Sequence, residues 1–334
     1  MTWVVGLGVF LPGKLALSGE AAPAQILIAL GMTESQLDDL LQEKPVAYSL
    51  KEGSADELSV GVARFLAIPV ARAVEYLRRD DPGILDIDVT AHGGLSDLAG
   101  DDPFARFEMP GDELKALLGP SPSDEFNLSA QEIKVFEAAK ALSPKAALDE
   151  AGQQYRKILR QRFEAYRQGG LGAIAPYVRT DSRESSPARE LRQAAAETDL
   201  LARHLSALHK AWLNYPAALP PGAREAFIWV SKIVEERPTA ILRHRVDVDW
   251  NGGVLVLTRE FYVGHSYNSS QWLTGCLPWR DGAVVFQQVR TFTEQVAGLA
   301  SGPKHFVGRE LLKGAMLKTL EHLHEALSAK AASR

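Results

Sequence analysis

The chain has 334 residues, enough for a sizeable core in one large domain or two ordinary ones. Its 37 basic and 42 acidic residues give a net charge of −5 with no basic stripe, which excludes the electrostatic footprint of a nucleic-acid binder and disfavours anionic membrane surfaces. The single cysteine, Cys276, excludes an internal disulfide and any cysteine-based zinc site, since both need a second thiol.

The N-terminus carries a short apolar run, Trp3 to Leu11, then Pro12-Gly13 and the signal-peptidase-like Ala22-Pro23-Ala24, without a charged n-region. Residues 1–24 therefore read either as an export signal that starts upstream, with a periplasmic or secreted mature protein, or as an N-terminal tail of a cytoplasmic one. No other stretch approaches the roughly 20 apolar residues that span a bilayer. Ala24 to Gly31 predicts a short helix, and Thr33-Glu-Ser-Gln36 is a capping box opening a second, with Leu37, Leu40 and Leu41 on its apolar side. Pro45 to Leu50 and Glu57 to Leu66 predict a hairpin. Pro69 sits where a first helical residue belongs, before the stripe Val70, Ala73, Val74 and Leu77, and the alternating Ile84-Leu-Asp-Ile-Asp-Val89 predicts a strand.

From Ala91 to Ala223 helical signals replace β signals. Ser129-Ala-Gln-Glu132 is a second capping box, Lys145 to Gln168 one long amphipathic helix ended by Gly169-Gly170, and Pro187 to Leu213 a further helix. Arg179 to Ser186 between them is a charged, serine-rich loop. After the proline-rich Tyr215 to Gly222, strands return: Phe227 to Val234, Ala240 to Trp250, Val254 to Val263, Gln271 to Leu277 and Ala283 to Val289. Asn251-Gly252 is a two-residue hairpin signal, and Trp279-Arg-Asp-Gly282 a second turn. A long helix from Lys304 has a broad apolar face to lay on that sheet.

This order predicts an α+β fold: a curved antiparallel sheet gripping a long C-terminal helix, with a large helical insertion. It resembles the helix-grip fold of START-like lipid-transfer proteins (the SRPBCC superfamily) over residues 45–90 and 225–330, which implies a cavity for an apolar molecule between sheet and helix. The corresponding organisation is a helix-grip domain from 25–90 and 225–334 interrupted by an insertion at 91–224. Through Phe227-Ile-Trp-Val-Ser-Lys232 and Arg259-Glu-Phe-Tyr-Val-Gly-His-Ser-Tyr267 the chain is also similar to uncharacterised bacterial exported proteins.

Arg259-Glu260 interrupts an apolar strand, and a buried charge costs several kcal/mol unless it meets a ligand or an internal partner. The structural alternative is a cross-strand pair of Glu260 with Arg243 or Arg245. Tyr262, His265 and Tyr267 bring hydrogen-bonding groups to the same strand end, with His244 on the neighbouring strand and Trp272 among the aromatic residues suited to a cavity wall or a filled core. Arg259, Tyr262, His265, Tyr267, His244, Arg243 and Trp272 are thus the candidate ligand-binding residues. No metal site or cofactor is expected. His322 and His324 diverge at i,i+2, Gly6-Leu-Gly8 lacks the rest of a dinucleotide fingerprint, and no Gly-x-Ser-x-Gly elbow surrounds Ser266. The expected function is non-catalytic binding or transport of an apolar or amphipathic, lipid-like small molecule. One alternative makes the helical insertion a surface for a protein partner. A third is an acid–base enzyme using Glu260, His265 and Tyr262, which requires those side chains to converge.

Overall fold

The computed structural model describes residues 22–79, 81–95, 102–123, 125–180, 183–297 and 301–332, so the apolar N-terminal run lies outside the described residues. Helices α1 (Pro23–Ala29) and α2 (Glu34–Leu41) come first, the second opened by the expected capping box: Thr33 Oγ1 accepts from the Gln36 N–H, and Gln36 reaches back to the Thr33 N–H. Strands β1 (Val46–Ser49) and β2 (Glu57–Leu66) form the expected hairpin, and α3 (Val70–Leu77) follows with Pro69 at its N-cap, one residue earlier than expected. The alternating stretch Ile84 to Val89 is not a strand. A 3-10 turn over Pro82–Ile84 starts from Asp81, whose side chain accepts from the Gly83 N–H, and β3 (Val89–Gly94) begins only where that stretch ends. Ile84 and Asp86 are both buried there, so the alternation records one side of a covering loop rather than a pleat.

Between β3 and the main run of strands lie α4 (Gly111–Leu117), α5 (Ala130–Val135) and α6 (Pro144–Gly169), the two-residue strands β4 (Tyr177–Val178) and β5 (Glu184–Ser185), then α7 (Pro187–Ala196), α8 (Asp199–His204) and α9 (Ser206–Leu213). The single helix expected from Pro187 to Leu213 is therefore three, because the chain turns after Ala196 and again at Leu205. Strands β6 (Arg224–Val234), β7 (Arg237–Trp250), β8 (Gly253–Val263), β9 (Ser269–Trp279) and β10 (Gly282–Phe292) lead to α10 (Ser301–Ala332). Asn251 and Gly252 both adopt positive φ, 49° and 72°, which is what a two-residue turn of the primed type requires to fold β7 directly onto β8.

The fold is α+β. Eight strands form one antiparallel sheet in the order β1-β2-β10-β9-β8-β7-β6-β3, with the short β1 and β3 at its edges. Both faces of this sheet are covered, and every residue of β2 is buried. Successive side chains divide between the faces: Val254 and Val256 join the core under α3 and α10, whereas Leu255 and Leu257 join the core under α1, α8 and α9. Helix α6 packs farther along that second face, against Leu242, Phe261 and Tyr262. On the first face, α10 buries Met316, Leu320, Leu323 and Leu327, each large apolar side chain contributing roughly 1.5–3 kcal/mol. The broad apolar face expected from Lys304 is only partly used, since Phe306 and Leu311 are 63% and 71% exposed. Residues 67–79 and 81–88, containing α3 and the 3-10 turn, lie across that face between β2 and β3 like a strap.

Candidate functional site

Arg259 and Glu260 are neighbours in β8 and therefore point to opposite faces of the sheet. Glu260 lies on the strap side, and the cross-strand pair foreseen for it forms with Arg243, whose Nε donates to Glu260 Oε1 at 2.8 Å. Arg243 also pairs with Asp86 of the strap. Lys232 Nζ donates to Asp86 at 3.0 Å, and the Tyr267 hydroxyl donates to Glu260 Oε2 at 2.7 Å. Burial opposes ionisation of Asp86, yet Arg243 and Lys232 outweigh it and hold its carboxyl below the ordinary carboxylate range. Burial, and then the Glu260 carboxylate, push the Tyr267 phenol well up, so it stays a hydrogen-bond donor. The network fastens the strap to the sheet.

Beside this network the strap leaves a cavity of about 40 Å³, lined among others by Leu77, Asp86, Arg243, Thr258, Trp272 and Gln287. No residue of α10 lines it, so the space lies under the strap and not between sheet and C-terminal helix as expected. Two polar atoms buried beside it have no hydrogen-bond partner among the described residues: the Trp272 indole N–H and Gln287 Oε1. The Gln287 amide nitrogen donates only weakly, to Thr274 Oγ1 at 3.4 Å, and the side chain is 0% exposed. A buried water needs roughly 10–15 Å³ by this measure, so the cavity accommodates a few waters or a small polar head, not an acyl chain.

On the other face Arg259 is fully buried. Its Nη1 donates to the Tyr166 hydroxyl at 2.9 Å, its Nη2 to the Trp212 carbonyl at 3.0 Å, and its guanidinium lies 4.1 Å from the Trp212 ring centroid. Glu260 is not its counterpart: two neutral dipoles and an aromatic face solvate the charge, while its Nε has no hydrogen-bond partner among the described residues. The Tyr166 hydroxyl meets His244 Nδ1 at 2.8 Å, and His244 Nε2 meets Glu225 at 2.9 Å, so a chain of hydrogen bonds leads from the interior to a partly exposed carboxylate. Burial, reinforced by Arg259, brings the His244 imidazole down to about 4, leaving it neutral.

Tyr262 shares this face, its hydroxyl 3.0 Å from that of Tyr155, because the irregularity between Leu242 and Arg243 shifts the β7–β8 register. His265 Nε2 lies 2.8 Å from Thr239 Oγ1, and its Nδ1 2.7 Å from Ser266 Oγ. The seven candidates are thus not one site. Arg243 and Trp272 line the cavity and Tyr267 braces its wall, whereas Arg259, His244 and Tyr262 belong to the opposite core and His265 is enclosed by local partners. Glu260, His265 and Tyr262 do not converge.

Sequence reasoning missed Asp86, Lys232, Thr258 and Gln287. Gln287 carried the signal that singled out Arg259, a polar residue at an inward position of an apolar strand, between Val285 and Val289. Among the described residues, no group of three or more His, Cys, Asp or Glu side chains is placed to hold a metal ion, and no helix is long and apolar enough to cross a membrane.

No protein-family model matches the chain, and no curated protein matches it. Among solved structures it is similar to Ara h 8.0201, with 10% identity over 41% of this chain and 89% of that one. The TM-score of that match is 0.18, which carries no argument about fold or function.

Proposed function

We propose that the protein binds a small amphipathic molecule without transforming it, holding the polar head under the strap between Trp272 and Gln287. The observation that supports this reading is the pair of buried atoms without partners, one donor and one acceptor, beside the same cavity. Each unmet group costs roughly 1–3 kcal/mol, which a ligand able to give and take a hydrogen bond recovers. A hydroxyl or amide head suits the pair. An anionic head does not, because Arg243 is already paired with Asp86 and Glu260. A ligand with an apolar tail also requires the strap at Pro82–Asp86 to swing away, since the closed space is too small. None of the exposed large apolar residues among the described ones lies on α6 to α9, the helices on which a partner-binding insertion would show them, although Val135 and Leu142 of the 91–224 stretch are exposed.

Mass spectrometry of the natively extracted protein, paired with the double variant Trp272→Phe/Gln287→Leu, tests this. A neutral amphipathic molecule should accompany the native protein and be absent from the variant. Recovery of no small molecule, with only ordered water at Trp272 and Gln287 in a high-resolution crystal structure, refutes it.

A further inference from the structure

A second and larger space lies where the insertion meets the other end of the sheet. A cleft of about 520 Å³ opens between the β4–β5 hairpin, the start of α7, the segment before β2 and the turn after β10. That volume is in the range of small-molecule sites, roughly 300–1,000 Å³.

Glu190 of α7 forms part of the wall and is 8% exposed. Its Oε1 accepts from Asn268 Nδ2 at 2.8 Å and its Oε2 from the Ser269 hydroxyl at 2.7 Å. A carboxylate offers about four acceptor positions, so one remains on each oxygen. No cationic side chain pairs with it among the described residues. Arg179, in the same wall, is committed elsewhere: to the amide oxygens of Asn127 and Asn268 at 2.7 and 2.8 Å, to the Ser123 carbonyl at 3.1 Å, and to Glu294 at 3.6 Å. Burial, with Glu294 and Asp56 adding to it, pushes the Glu190 carboxyl up to about 7 against the pull of Ser269 and Asn268.

A buried carboxyl group at a cleft without a counter-cation is the complement of a ligand cation. Among the described residues, the other charged groups of the cleft are Asp56, Glu184 and Glu294, against Arg179, Arg183 and Arg189. Arg183 and Arg189 are exposed on the rim and form no ion pair among the described residues, which leaves them for an anion. We propose that this cleft binds a zwitterionic amino acid, its ammonium on Glu190 and its carboxylate on Arg183 and Arg189. The site is separate from the cavity under the strap, so each proposal stands or falls alone.

Calorimetric titration of the full chain with L-leucine, ethylamine and acetate tests it. L-leucine should bind at least tenfold more tightly than ethylamine, and acetate should give no measurable heat. Leucine affinity should rise roughly tenfold from pH 6 to pH 8 as Glu190 ionises. Glu190→Gln should weaken leucine binding at least tenfold at pH 8 and flatten that rise, whereas Arg183→Ala/Arg189→Ala should weaken it severalfold and keep the rise. Absence of leucine binding, acetate binding as tight as leucine, or a Glu190→Gln protein that binds normally overturns the proposal. If Glu190→Gln does not fold, a flat pH profile in the native protein or an unaffected arginine double variant overturns it equally.

Discussion

Replacing Arg259 with methionine should change stability by no more than about 2 kcal/mol, although the arginine is 0% exposed. Desolvating a guanidinium costs several kcal/mol. Against that stand two charged hydrogen bonds, to Tyr166 and the Trp212 carbonyl, at roughly 1.5–3 kcal/mol each, and the Trp212 ring contact at up to about 2. Methionine removes the buried charge together with its unpartnered Nε and keeps much of the volume, and leaves the Trp212 carbonyl without its donor, at roughly 1–3 kcal/mol. Tyr166→Phe does the reverse: the charge stays buried while Arg259 Nη1 and His244 Nδ1 both lose their partner, for a loss of about 2–5 kcal/mol. Denaturant unfolding followed by tryptophan fluorescence measures both variants and their combination. In the Arg259→Met background Tyr166→Phe should cost markedly less, because no cation is then left unsolvated. A loss above about 4 kcal/mol for Arg259→Met, or no difference between the backgrounds, refutes the reasoning.

Glu260→Gln should destabilise by about 3–5 kcal/mol, read as a lower denaturant midpoint, because it removes one of the two carboxylates that compensate buried Arg243. His244 makes stability fall with acid: its folded pKa of about 4 lies below the ordinary 6.5, so the unfolded chain binds more protons between those values. The contribution is complete above pH 6.5 and shrinks by up to about 3 kcal/mol on acidification to pH 4. Glu190 acts in the opposite sense, since a carboxyl raised from 4.5 to about 7 favours the folded state at low pH and loses that contribution as pH rises to 7. Unfolding midpoints of His244→Gln and Glu190→Gln between pH 4 and 8 should therefore differ from the native curve with opposite slopes. Cys276, buried with its thiol pushed up to about 12, should react with a thiol reagent only on unfolding, and rapid labelling of the native protein would contradict this.

The β7–β8 hairpin was legible because the turn chemistry of Asn251-Gly252 and the alternation on either side agree. The Arg243–Glu260 pair followed from the same strands once their register was approximately known. Ile84 to Val89 was misread because alternating burial looks the same in a strand and in a loop laid across a sheet. The Glu190 cleft left little trace in the sequence: Asp56, Arg179, Glu190 and Glu294 come from four segments that meet only in the folded chain. The charged, serine-rich stretch from Arg179 to Ser186 was its only local trace. Arg259 stood out correctly as a buried charge, but alternation alone could not say that Tyr166 of α6 and Trp212 of α9 solvate it.

The seam between β2 and β10, which pairs Leu66 with Ala283 and Glu57 with Phe292, joins strands more than 200 residues apart in the chain. Strands β6 to β10 pair with sequence neighbours through short turns and close at little entropic cost. The β1–β2 hairpin must wait for the last strand to be synthesised before it has a place in the sheet. Until β10 is made, β2 therefore has β1 on one side and an unpaired edge on the other, the kind of edge that pairs with other chains when left uncovered.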